Sequence, residues 1–163
     1  MDPLGALFDH HAWATLRLID HCAAFPADQL QATVPGTYGT IERTLIHLVA
    51  ADQRYLQDMD GQPASVRISE RESYPLTDVR AAADLQAARW TSLVRRAPEL
   101  NVTRPAYDED PDSPHAEDLL FLQAIHHGND HRTQICTILG AHGLEVPDLS
   151  GWAYWHEQRS PAG

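Results

Sequence analysis

Two histidines four residues apart, His127 and His131, fall in the run Ala124-Ile-His-His-Gly-Asn-Asp-His-Arg-Thr-Gln-Ile135. Imidazoles at i and i+4 of a helix lie one above the other, and together they can grip a single ion without distorting the backbone. A rotation of about 100° per residue aligns both rings with Leu120, Ala124, Ile135 and Ile138. They therefore occupy the middle of an apolar stripe instead of its wet edge. Two imidazoles aimed at a core need partners, and a metal ion supplies both at once. The competing reading is a pair of core histidines, each satisfied by backbone or carboxylate. The chain has 10 histidines, so the spacing alone is a weak signal and the stripe carries the inference. His126 lies off the stripe and reads as surface.

Other residues stand near such a site in the pattern. His47 lies at the margin of an apolar helical face, where an exposed histidine and a ligand are equally compatible with the periodicity. His11 lies inside another stripe, as a ligand, a proton shuttle or, foremost, a satisfied core histidine. Asp52 also falls in an apolar stripe, where an unpaired carboxylate is expensive; orienting a ligand imidazole is the role that would justify it. Asn129, Asp130 and Arg132 flank the histidine pair and read as the solvated edge of their helix.

The elements that must position these groups are helical. Asp2 and Pro3 give an N-cap and first-turn proline to a helix expected from about Pro3 to Ala24. Thr40 caps a second, carrying Ile41, Leu45, Leu48, Val49, Leu56 and Met59 at helical spacing. Asp60 to Pro75 lacks periodicity and reads as a crossing loop of structural character, with a short extended piece near Val66 to Ile68. Thr77 is expected to cap a third helix bearing Val79, Ala83, Trp90, Leu93, Val94 and Ala97. After a brief alternation around Val102 and Tyr107, Ser113 and Pro114 start a fourth, ending at Gly140. Trp152, Tyr154 and Trp155 are expected to pack back on the helices, because exposed aromatic clusters are costly, and residues 156–163 form a loose tail. The pattern predicts an all-α fold, a four-helix bundle with at least one crossover connection, in a single domain over residues 1–163.

Composition narrows the function. A formal net charge of -11, from 12 Lys+Arg against 23 Asp+Glu, repels phosphate backbones and anionic membranes, so neither nucleic acid nor membrane is an expected partner. The same excess of acids marks no basic patch for an anionic cosubstrate. No signal segment or span of roughly 20 apolar residues is present, and Cys22 and Cys136 do not make a disulfide framework. A cytoplasmic protein is expected.

The chain resembles the DinB/YfiT-like family of small helical metalloenzymes. The resemblance is carried by Asp9-His10-His11-Ala12-Trp13-Ala14, by Ile46-His47-Leu48-Val49-Ala50-Ala51-Asp52, and above all by His127-Gly-Asn-Asp-His131-Arg132-Thr133-Gln134-Ile135. The family pattern pairs one histidine on the second helix with a later His-x-x-x-His followed by Arg-x-Gln. Carried over residue by residue, it implies His47, His127 and His131 as ligands of a divalent ion such as zinc, nickel or manganese. It further implies a bundle that is commonly a homodimer, and relatives that use low-molecular-weight thiols as S-transferases and isomerases. Three neutral imidazoles leave a coordination position open, as in catalytic zinc sites. A water there serves hydrolysis; a thiol there serves transfer to a small-molecule electrophile or isomerisation. A non-enzymatic module that binds metal or a small ligand is the alternative.

Overall fold

Asp2 opens the first helix as its position requires, its carboxylate accepting from the amides of Leu4 and Gly5 at 3.3 and 3.1 Å while Pro3 takes the first turn. In this computed structural model, which describes residues 2–96 and 117–159, α1 spans Pro3–Cys22. Thr40 caps α2 (Ile41–Asp60) through the Arg43 amide, and Gly61, at φ +69°, closes it in the left-handed conformation that suits glycine. α3 spans Leu76–Arg96. The expected Thr77 cap is corrected, for Thr77 lies inside the first turn. Pro75 is already pre-set for helix, and its carbonyl takes the amides of Asp78 and Val79. α4 spans Glu117–Ala141. The Ser113 and Pro114 start, the alternation around Val102 and Tyr107, and Ala97 lie outside the described residues.

A fifth helix, α5 (Gly151–Arg159), replaces the expected aromatic tail, with the Ser150 hydroxyl capping it through the Ala153 amide. Only part of the aromatic cluster packs back. Tyr154 lies 5.4 Å from Trp13 and 5.7 Å from His10, whereas Trp152 is 77% exposed and Trp155 stays outside beneath Arg159. The extended piece near Val66 forms no strand. Instead, the buried Gln53 side chain donates to the Val66 carbonyl at 2.6 Å and accepts from the Ile68 amide at 3.0 Å.

Around the bundle, α1 packs on α3 and α4, and α2 packs on the same two, so α1 and α2 face each other diagonally. Two apolar clusters fill the interior. One gathers Leu18, Leu45, Val49, Val79, Ile135 and Ile138; the other gathers Phe8, Leu56, Trp90, Leu93, Leu120 and Phe121. Their order along each helix fixes direction: α2 and α3 both run from the first cluster to the second, while α1 and α4 run back. Parallel neighbours cannot be joined by a tight turn, so the segment between Gly61 and Pro75 must return along the bundle. No described helix is long and apolar enough to cross a membrane.

A polar layer separates the clusters. Asp52 Oδ2 accepts from His11 Nε2 at 2.8 Å and from the Trp90 indole at 3.2 Å. Arg132 donates to His11 Nδ1 at 3.2 Å, to the Thr15 hydroxyl at 2.9 Å and to Asn129 Oδ1 at 2.7 Å. Each of α1 to α4 thus contributes at least one residue to a single node. Since a guanidinium can only donate, His11 Nδ1 must accept, and the ring's proton sits on Nε2 facing Asp52. Gly128 makes room for this arrangement, because a Cβ there would lie 2.5 Å from His11 Cε1 and 2.9 Å from Arg132 Nη1.

Candidate metal centre

His47 faces α4 across the seam between α2 and α4, and the 3.6-residue repeat there brings His127 and His131 to meet it. The three offer ligand nitrogens that all lie within 4.8 Å of one another. Nε2 of His47 stands 3.0 Å from Nε2 of His127. Nitrogens sharing a tetrahedral ion at roughly 2.0–2.1 Å would stand about 3.3 Å apart, so this pair already has nearly the separation that a shared cation sets. His131 is 9% exposed, and its ring centroid lies 4.4 Å from that of His127 and 4.7 Å from that of His47.

The far nitrogens decide which lone pairs remain. Gln134 Oε1 accepts from the Tyr38 amide at 2.9 Å, and His131 Nδ1 lies 3.2 Å from the same oxygen. An amide oxygen only accepts, so the proton of His131 belongs on Nδ1 and Nε2 is free to ligate. At His47, Nδ1 lies 3.1 Å from Glu70 Oε2. Its hydrogen is not aligned with the oxygen, so the contact is electrostatic more than a hydrogen bond, but a carboxylate beside Nδ1 still favours the proton there. Nδ1 of His127 is buried without a partner among the described residues.

Electrostatics keep the imidazoles available. Burial, reinforced by His131 and His47, lowers the pKa of His127 to about 4, and burial together with His47 also lowers that of His131. Neutral imidazole is the ligating form. Burial alone would raise Glu70, yet the hydrogen bond from Arg54 and the His47 ring beside it outweigh it and hold the carboxyl at about 2. Glu70 is therefore an anion at any ordinary pH. The donor set suits a borderline divalent ion: three nitrogens, two with orienting oxygen partners, and no thiolate.

Tyr38 covers the cluster. Its ring stacks on His47 with centroids 4.0 Å apart, meets His131 edge-on at 5.2 Å, and its hydroxyl donates to Glu70 at 3.3 Å. Tyr55 meets His127 edge-on at 5.8 Å.

The structure therefore brings together His47, His127 and His131, and leaves His126 exposed outside them. Three expectations are corrected. Asp52 orients His11, which is a satisfied core histidine, and not a histidine of the cluster. Arg132 is 3% exposed and buried in the polar node instead of forming a solvated edge; four neutral acceptors, His11 Nδ1, the His11 carbonyl, the Thr15 hydroxyl and Asn129 Oδ1, satisfy it there. The segment expected to be structural contributes Glu70 to the site. Neither Glu70 nor Tyr38 belongs to a helix, so periodicity gave no signal for them, whereas Gln134 stood in the quoted family pattern.

The chain matches the DinB family over residues 1–161. No curated protein matches it.

Proposed function

Since the chain belongs to the DinB family, we propose that it is a divalent-metal-dependent enzyme whose ion is held by His47, His127 and His131. The observation that carries this reading is the approach of the His47 and His127 Nε2 atoms to 3.0 Å, with His131 completing the set. When bound, such an ion acts as a Lewis acid that lowers the pKa of a coordinated water or thiol. Gln134 and Glu70 hold the opposite ring nitrogens of His131 and His47, and Tyr38 shields one side of the cluster from solvent. Neither cysteine supplies the nucleophile: Cys22 is buried, and desolvation pushes its thiol up to about 12, while burial raises Cys136 as well. A reacting thiol must therefore arrive with a small cosubstrate, in S-transfer or isomerisation; with water as nucleophile the reaction is hydrolysis. Zinc, nickel and manganese are the candidate ions, and a cytoplasmic homodimer belongs to the same reading.

Elemental analysis of tag-free protein beside His127→Ala tests the site. About one equivalent of metal per chain in the parent and its loss in the variant support it, and equal trace metal in both overturns it. Turnover assays of the loaded protein with thiols and with hydrolysable esters or amides then separate the two chemistries. A loaded protein that turns over neither class would be a binding module.

A further inference from the structure

Glu70 also stands in the wall of a cleft of about 720 Å³ that none of the three imidazoles lines. That volume falls in the range of small-molecule sites. Arg43 and Arg54 enter it from α2, and Arg67 and Arg71 from the returning segment, while Glu70 is the one acidic residue in its wall. Residues 43, 47, 50 and 54 follow one stripe of α2, so His47 stands between the two helical arginines. The chain has 23 acids against 12 basic residues, every one of them arginine. Four of those 12 gather here. Only Arg54 is neutralised, by Glu70; the guanidinium groups of Arg43, Arg67 and Arg71 have no hydrogen bond or ion pair among the described residues. Gathering like charges in one concavity costs repulsion, which a bound anion would offset, and the planar guanidinium fork matches carboxylate and phosphate oxygens. The absence of a basic patch expected from the sequence is thereby corrected. Arginines at 43, 54, 67 and 71 look scattered along the chain, and they become one surface only when the segment folds back along α2.

We propose that this cleft binds the oxyanion group, carboxylate or phosphate, of a small anionic molecule beside the metal centre. Glu70 links the two places, with Oε1 on Arg54 and Oε2 against His47. An anion bound by Arg54 competes with Glu70 and so reaches the surroundings of His47. That the anion is the substrate or cosubstrate rests on the metal-enzyme reading; that the cleft binds it does not.

The test is calorimetric titration with inorganic phosphate and, separately, with succinate, at constant ionic strength, on metal-loaded and chelator-stripped protein. The parent, Arg67→Ala/Arg71→Ala and a control, Arg159→Ala, are compared. Saturable binding of at least one probe by the parent and the control is expected, weakened at least about tenfold in the double variant, since each deleted guanidinium removes charge-assisted hydrogen bonds. Preference for phosphate or for succinate assigns the group. No saturation by either probe at millimolar concentration, or equal binding by the double variant, overturns the proposal. Metal content measured on the same samples keeps the two readings apart: failure of the parent to take up metal on loading sinks the enzyme reading, and anion binding by that same protein leaves the cleft standing.

Discussion

Gln134 holds one proton of the cluster in place, and its removal should be felt by the ion more than by the fold. We expect Gln134→Ala to weaken metal affinity by roughly 10–100-fold, the usual effect of losing a ligand's hydrogen-bond partner, with an unchanged far-ultraviolet spectrum; competition against a chromophoric chelator measures it. His127 should leave a signature in acid. In the unfolded chain its ring takes a proton near 6.5, and in the fold only near 4. The unfolded state therefore holds the extra proton between those values, so metal-free protein should lose stability as pH falls through that window and level off below it. Denaturation of the metal-free parent and of His127→Phe across pH 4 to 6.5 should show a flatter dependence in the variant; equal slopes would refute the assignment. His127 and His131 were readable because a ligand in an apolar stripe violates the stripe's own chemistry. His47 was not, since a histidine at a helix margin violates nothing, and it was placed by family resemblance alone. Tyr38 and Glu70 sit where the chain has no repeat, and only tertiary folding selects them.

The returning segment between α2 and α3 is held by one amide side chain. Gln53 is 7% exposed and makes both hydrogen bonds to the backbone of Val66 and Ile68. Gln53→Ala should cost about 1–3 kcal/mol of local stability by leaving buried backbone groups unpaired. It should also speed limited proteolysis within residues 61–75 and weaken metal binding through Glu70, while α2 itself persists. The helices were readable where a cap stands beside periodic apolar residues, as at Asp2 and Thr40. Boundaries drifted where two signals competed, and Pro75 outranked Thr77. α5 escaped notice because its nine residues carry no apolar stripe, and a Ser150 cap is a weak signal without one.

The polar node ties all four bundle helices through one carboxylate and one guanidinium. Breaking such a buried pair strands the remaining charge and typically costs about 3–5 kcal/mol. Asp52→Ala should therefore lower the urea midpoint sharply, and so should Gly128→Ala, which forces a methyl group into His11 and Arg132. Both should keep near-parental metal stoichiometry under native conditions, because neither removes a ligand; loss of metal without loss of stability would show that the node belongs to the site instead. Its membership has a further consequence for how the chain is made. The partners stand at His11, Asp52, Trp90 and Arg132, one per helix in order of synthesis. Until α4 has left the ribosome, any bundle of the first three helices must bury Asp52 without its countercharge. Intermediates on the way to the native state are thereby penalised, and the nascent chain should stay protease-sensitive until its last long helix emerges, then become resistant in a single step.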